Sequence, residues 1–470
     1  MEQGVDAQEY ERQQVRLLDM LSNAAPTSAH VHSITVKGAQ RTRDSFVLAA
    51  LAPAFKARTF ASVLNRVQEG AQNLTRLDIF DQLEITVDTP QDPFADRNEA
   101  VDIILNVKEK SRLCIKTGTE VGNGEGNMNG SITLRNIFGG AESLQAMASF
   151  GTRTSSAFSL LLATPLKSSP DHMFDFNAHS VVRNNMATSS HEEVARGLGI
   201  RLRSVDRALN GIHELSADST WRCMDRIADA ASLRQAGHSL KHSITHTFIR
   251  DLRNDPLLPT KGHYLRIANE FAGLGVVGDV HHWKTEVEAS HSTEVGEQLA
   301  LSTTFRVGLL YPFGEKLTLT TDRFQIGGPL SIRGLQTNGG GPRDSTDALG
   351  AEGYWSGGIS VFAPIPKVTR EKGWPVFLHG WLNAGTGVLS ADRAKFSTES
   401  ATDVPSNLPS IPASIIQSLT NTSPTVTAGL GLVYRHQIAR IELNFCLPLQ
   451  ISRGDLVKCG WQLGLGMNFL

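Results

Sequence analysis

The 470-residue sequence contains no run of about 20 apolar residues, the length a membrane-crossing helix needs, and its mean hydropathy is only −0.16. A helical membrane protein is therefore excluded. Cysteine is scarce. Cys114, Cys223, Cys446 and Cys459 lie far apart, with no CxxC pair and no histidine cluster at metal-ligand spacing, so neither a disulfide framework nor a metal site is expected. Neither sign of charge dominates, with 45 Lys and Arg against 47 Asp and Glu, and nothing suggests nucleic acid as a partner. The catalytic signatures H-E-x-x-H, G-x-S-x-G and the Walker loop are all missing, and Gly122 to Gly126 lacks the βαβ context of a nucleotide site. No enzyme and no cofactor is expected. His281-His282-Trp283 and the pair His242 and His246 are assigned no function.

What is present fits a different class. Twenty Phe, six Trp and abundant Leu supply a core, which argues against disorder. Glycine is frequent (42 residues) and short alternating segments recur, which together open the one membrane class that hydropathy misses, the transmembrane β-barrel. Residues 1–29 carry Glu2, Asp6, Glu9 and Glu11 and no apolar stretch of the secretory kind, and they are too acidic for an amphipathic targeting sequence. They read as a flexible tail with one short helix, Glu9 to Leu21.

Residues 30–110 read as a small α+β domain. Val31 to Val36 alternates as a strand. Thr42 to Leu51 forms a helix with Phe46, Ala49 and Ala50 on one side, and Phe60, Val63, Leu64 and Val67 form a helical stripe at i, i+3, i+4 and i+7. Phe80 to Val87 and the alternation of Val101, Ile103, Leu105 and Val107 give two further strands. The order is β-α-α-β-β.

From residue 111 to 470 helical periodicity nearly vanishes, and segments of about ten residues alternate with period 2 between turn residues. Trp461, Leu463, Leu465, Met467 and Phe469 face one way and Gln462, Gly464, Gly466 and Asn468 the other; Ile441, Leu443, Phe445 and Leu447 oppose Arg440, Glu442, Asn444 and Cys446 in the same manner. One face suits lipid and the other a wet lumen. Sixteen strands are predicted, starting near Ser111, Met128, Gly140, Ser155, Asp171, His191, Gly211, His238, Lys261, Gly278, Glu297, Glu352, Gly373, Pro424, Gln437 and Lys458. An even number lets first and last strands close antiparallel. The two longest connections, 310–351 and 390–423, fall on one face of the barrel. The fold class is thus an all-β transmembrane barrel preceded by a small α+β domain.

Three segments exceed a generic barrel. They are Phe324-Gln325-Ile326-Gly327-Gly328-Pro329-Leu330-Ser331-Ile332-Arg333-Gly334-Leu335, the turn from Asp251 through Arg253 and Pro259 to Gly262, and Lys458-Cys459-Gly460-Trp461-Gln462-Leu463-Gly464-Leu465. With them the sequence resembles the barrel-assembly superfamily, whose members carry POTRA (polypeptide-transport-associated) domains before a sixteen-stranded barrel. The single β-α-α-β-β module is similar to that of core subunits of the mitochondrial sorting and assembly machinery (SAM complex).

That resemblance, which covers residues 30–470, implies that Gly327, Gly328, Pro329, Ile332, Arg333 and Gly334 belong to a loop folded into the barrel, with the arginine on the inner wall. By itself a solvated loop arginine beside a glycine is the default reading; the family-like positions around it favour the pinned loop, and a guanidinium with five fixed donors can tie a long loop to several strands. The sequence departs from the pattern in two places. Leu335 replaces an aromatic, and Asn383 stands where bacterial relatives carry Asp, leaving Glu352, Asn383 and Glu442 as loop partners. Asp251, Arg253, Pro259 and Gly262 are assigned a structural turn role on the POTRA side.

The resemblance also implies insertion of β-barrel precursor proteins into the mitochondrial outer membrane through a lateral gate between first and last strands, at Gly118, Gly122, Lys458, Gly460, Leu463 and Leu465. Glycine weakens strand pairing there, although it also permits tight barrel curvature. The POTRA domain is expected in the intermembrane space. Partners are barrel precursors, peripheral cytosolic-side subunits, inner-membrane organising contacts and lipid. A passive pore, a translocation channel and a soluble β binding protein are the competing functions.

Overall fold

A computed structural model describes residues 25–90, 99–122, 125–152, 154–225, 237–273, 278–296, 299–313, 318–344, 347–365, 374–389, 411–436, 439–466 and 469–470. The α+β module comprises β1 (His30–Lys37), α1 (Asp44–Leu51), α2 (Phe60–Arg76), β2 (Phe80–Asp88) and β3 (Ala100–Glu109). Its sheet has the order β1-β3-β2, with β1 parallel and β2 antiparallel to the central strand. Helix α2 starts where Thr59 and Ser62 cap each other, Ser62 N donating to Thr59 Oγ1 (3.3 Å) and Thr59 N to Ser62 Oγ (3.0 Å). Val63, Val67 and Leu74 of its apolar stripe are buried against Val47, Leu51, Ile103 and Leu105. Helix α1 is rotated from the predicted face. It buries Phe46, Val47, Ala50 and Leu51 and exposes Ala49, because the sheet takes the bulkier Val47 and Leu51.

The tail boundary also moves. Residues 1–24 of the predicted tail lie outside the described residues, but 25–29 belong to the module. Phe60 N donates to Thr27 O (3.0 Å) and Ala61 N to Ala25 O (3.2 Å), so this segment satisfies amide donors that the first turn of α2 would otherwise leave unpaired.

The compact unit built around the module includes two segments that the sequence assigned to the barrel, Ile132–Gln145 and Leu161–Asp175. Within it, Asn136 Nδ2 donates to Thr42 Oγ1 (2.8 Å), Arg43 Nη2 to Glu142 Oε1 (2.9 Å) and Arg76 Nη1 to Asp171 Oδ1 (2.7 Å), and Ala141 enters the module's apolar core.

The remaining strands are β4 (Leu113–Gly122), β5 (Glu125–Arg135), β6 (Ser143–Gly151), β7 (Thr154–Pro165), β8 (His172–Asn184), β9 (Glu192–Asp206), β10 (Gly211–Asp225), β11 (Gly237–Asp251), β12 (Gly262–Ala272), β13 (His282–Val295), β14 (Leu299–Pro312), the short pair β15 (Arg343–Asp344) and β16 (Asp347–Ala348), then β17 (Gly353–Pro364), β18 (Val376–Val388), β19 (Thr425–Arg435), β20 (Arg440–Gln450) and β21 (Gly460–Gly466). All but β15 and β16 form one sixteen-stranded sheet in sequence order, with β4 and β21 as its two ends. Every predicted strand exists, the largest displacement being Gly278 against His282. β14 pairs directly with β17 (Phe305↔Gly357), so the long connection between them leaves the sheet uninterrupted. The second long connection contains helix α3 (Ile411–Asn421), whose Ile415 is fully buried.

Side chains alternate as the sequence predicts. On β20, Leu443, Phe445 and Leu447 are exposed whereas Glu442, Asn444 and Cys446 are buried, and on β21 Trp461 and Leu463 are exposed whereas Gln462 is buried. Apolar out and polar in is the pattern of a barrel whose outer solvent is lipid. One prediction fails. Phe469 does not continue the outer face of β21; the strand ends at Gly466, and Phe469 and Leu470 are buried on the inside.

Candidate functional site

The connection between β14 and β17 carries the Gly-Gly-Pro segment. Bridges Phe324↔Ala351 and Ile326↔Gly340 shape it, and Leu310, Phe324, Ile326, Ile332, Leu335, Ala351, Tyr354 and Leu470 pack into one apolar cluster. Gly327 and Gly328 have φ of 103° and 115°, values that only glycine adopts cheaply, and Pro329 follows them. This geometry delivers Arg333 to a fully buried position.

The guanidinium of Arg333 donates from Nε to Glu442 Oε2 (2.8 Å) and from Nη2 to Glu442 Oε1 (3.2 Å), a two-pronged grip on one carboxylate. Nη1 donates to the Leu470 carbonyl (2.6 Å) and to Asn383 Oδ1 (3.3 Å). Trp381 and Phe469 lie on it, with ring centres at 5.6 and 5.5 Å. Of the three predicted partners, Glu442 is thus the ionic one and Asn383 the dipolar one. Glu352 is fully buried as well, and it accepts from Thr318 Oγ1 (2.7 Å). Glu442 is further held by Asn444 Nδ2 (2.7 Å) and by Arg440. Two arginines on one buried carboxylate give a network in which loss of the acid would leave two cations unpaired.

The backbone beside Arg333 is fastened to the last strands. Thr427 Oγ1 donates to Arg333 O (2.6 Å), Lys458 N to Gly334 O (2.7 Å), Gly334 N to Gln462 Oε1 (2.9 Å) and Gln462 Nε2 to Leu335 O (3.0 Å). The loop therefore holds β18, β19, β20 and β21 together from inside. Lys458 and Gln462, at and beside positions predicted for the seam, thus take part in this anchorage. Of the other seam residues, Gly118 lies within β4 and Gly122 ends it, Gly460 opens β21 with φ of 93°, Leu463 is exposed and Leu465 half-buried.

The turn from Asp251 to Gly262 is more than a local cap. Asp251 does hold Arg253, through Nε (2.9 Å) and Nη2 (2.7 Å), and Gly262 (φ 105°) sits so close to Leu252 that an added Cβ would lie 2.2 Å from its carbonyl oxygen. Beyond Arg253, however, the turn reaches across to other strands. Asp255 pairs with Arg435 at the end of β19, and Leu258 is buried with Ala300, Phe362 and Val433. Pro259 lines a small cavity of about 30 Å³ together with Arg253, Leu257, Arg440 and Phe469.

Sequence reasoning missed a second charged cluster on the same loop. Asp322 receives Arg222 Nη1 and Nη2 (3.0 Å each) and Lys241 Nζ (2.8 Å), and Lys284 Nζ donates to its carbonyl (2.7 Å). Burial opposes ionisation of this carboxyl, but Lys241 and Arg222 outweigh it and hold Asp322 well below the ordinary carboxylate range. The available signal was parity: Arg222, Lys241 and Lys284 all fall on polar, inward positions of their strands.

A model of the Omp85 superfamily domain matches residues 136–469. The chain belongs to the Omp85 superfamily. It is 34% identical over 467 residues to a SAM50-like protein of Schizosaccharomyces pombe, covering 97% of this chain and 94% of the relative. It is 31% identical over 458 residues to the sorting and assembly machinery component 50 homolog of Homo sapiens, covering 96% and 92%. Within Omp85 it is therefore a member of the sorting and assembly machinery component 50 family. Its fold is similar to that of BamA from Haemophilus ducreyi lacking POTRA domains 1–3, with a TM-score of 0.75 at 18% identity over 93% of this chain and 84% of that one.

Proposed function

We propose that this Omp85 barrel inserts and assembles β-barrel precursor proteins in the mitochondrial outer membrane. The near full-length likeness to component 50 of a sorting and assembly machinery carries the reading. The α+β module is read as the single POTRA domain, lying in the intermembrane space, and the working edge as the seam between β4 and β21, the two ends of the sheet.

A strand edge offers unpaired amide and carbonyl groups, and an arriving strand satisfies them by β-augmentation. Gly118 and Gly122 on one edge and Gly460 and Gly464 on the other support a seam that opens at low cost, because glycine packs nothing against its neighbour. The buried loop supports the same reading from inside, since Gln462 and Lys458 tie β21 to Gly334 and Leu335 while the edge is engaged. Insertion would be driven by moving apolar strand faces into lipid while backbone groups stay paired, with no cofactor and no catalytic residue. The partners would be precursor barrels, lipid and the other subunits of the assembly complex, on the cytosolic side and towards the inner membrane.

Cysteines at Thr117 in β4 and Leu463 in β21, each paired with one in the final strand of an arriving precursor, test this. Disulfides should form at these edges and disappear when the precursor's final strand keeps its cysteine but has its apolar–polar alternation scrambled. If none forms while assembly proceeds, the edge is not the route, and a translocation channel of the same superfamily becomes the better reading.

A further inference from the structure

The loop that carries Arg333 is held at both ends. Asp322 is fastened by Arg222, Lys241 and Lys284, which come from β10, β11 and β13, and Arg222 Nη1 also donates to Thr321 Oγ1 (3.0 Å). Lys284 Nζ lies 4.4 Å above the ring of Phe324, which pins the side chain two positions further along. Arg333 is fastened by Asn383 and Glu442, which come from β18 and β20. Between the two anchors the chain has little slack, with Ile326 bridged to Gly340 and Ile332 packed in the apolar cluster.

The geometry points to Asp322 as a positioning residue: it fixes the entrance of the loop so that Arg333 reaches Glu442, and the two anchors act as one tie between the β10–β13 wall and the last strands. The tie does not depend on the proposed function. A segment fixed at one end meets its second site at high effective concentration, and releasing that end makes the second contact entropically dearer. The charged groups facing Asp322 are Arg222, Lys241, Lys284 and His282, with Glu270 and Glu193 as the neighbouring acids. Neutralising Asp322 leaves Arg222 and Lys241 to Glu270 and Glu193, and Lys284 to Glu270 and Glu286.

Gly334 supplies a readout. An added Cβ there lies 3.4 Å from the Cβ of native Cys446, at the short edge of disulfide geometry, and 3.2 Å from Thr427 Cγ2. Gly334 has φ of 81°, so a cysteine there carries backbone strain, but the full chain with Cys114, Cys223 and Cys459 changed to Ser and with Gly334→Cys should still oxidise measurably in detergent or lipid. Adding Asp322→Asn should slow disulfide formation about 5-fold or more, the size of a modest coupling between sites, and Asp322→Glu should restore the rate. Heat-modifiable gel mobility and a urea midpoint, read in parallel, separate displacement of the loop from loss of the fold. If Asp322→Asn does not fold, Lys284→Met, which spares the Arg222 pair, replaces it, with slower oxidation again expected. An oxidation rate equal to that of the parent, in whichever variant folds, overturns the proposal. Precursor assembly is not the readout, so failure here leaves the proposed function standing.

Discussion

The module and the barrel solve opposite problems with one chain. The module hides Val47, Leu51, Leu74, Ile103 and Leu105 and shows polar groups to water, whereas the barrel turns Leu443, Phe445, Trp461 and Leu463 outward and hides Arg333, Glu442, Asn383 and Gln462. In the module, burial of apolar area supplies the stabilising free energy and backbone ladders follow. In the barrel, lipid covers the apolar face, so the interior is free to be polar, provided every charge has a partner. The lesson is that a buried arginine carries different weight in the two regions. Inside the barrel it is an organising contact; inside the module core it would be a fault.

Three comparisons test that contrast, from the largest effect downward, the first with its own control. Glu442→Ala strands Arg333 and Arg440 and should lower barrel stability by about 3–5 kcal/mol, read from the urea midpoint in detergent. Replacing Arg333, Arg440 and Glu442 together with Met, Met and Leu, which leaves no cation unpaired, should cost much less; an equal loss in both variants would show that packing, not charge pairing, dominates there. Leu105→Ala in the module should cost about 2–5 kcal/mol through the cavity it leaves, read by amide exchange of α2 and β3, with the barrel midpoint unchanged. Leu463→Arg, on the outer face, should destabilise the lipid-embedded barrel by about 2–4 kcal/mol if it lies near the bilayer midplane, and a neutral result would remove β21 from the lipid surface.

The smallest effect is a pH dependence confined to the module. Burial disfavours the charged form of Glu109, but Thr42 Oγ1 (2.7 Å), Thr42 N (2.8 Å) and Arg41 N (3.0 Å) donate to it and keep it below the usual carboxylate range. A carboxylate with a depressed pKa stabilises the fold above its unfolded value of about 4.3, and that stability is lost as the pH falls towards the folded value. The module's unfolding midpoint should drop between about pH 5 and pH 3 in the parent and drop less in Glu109→Gln. Identical profiles would remove Glu109 from the account.

Much of this was legible in the sequence, for physical reasons. Period-2 alternation over about ten residues is a long signal, so all sixteen barrel strands stood out, and so did the inward position of Arg333 within its glycine-proline segment. Parity alone could not choose among Glu352, Asn383 and Glu442, because all three are buried. The Asp322 cluster escaped because Arg222 is a hundred positions away along the chain, and only the fold brings the two within 3.0 Å. Phe469 was misplaced because alternation was extended beyond Gly466, the last residue of β21, whereas the Phe469 ring lies on Arg333 and Arg440. The turn at Asp251 was read without its distant partner because Asp255 and Arg435 lie 180 positions apart along the chain.

The most direct test compares two reversible locks in the same assembly assay. One is a disulfide between cysteines placed on β4 and β21, closing the seam; the other is the Gly334→Cys link to Cys446, holding the loop in place. The account predicts that the seam lock stops precursor assembly until it is reduced, while the loop lock leaves assembly near the level of the reduced protein. Assembly that continues through a locked seam, or stops only when the loop is locked, would contradict it and place the working surface in the lumen.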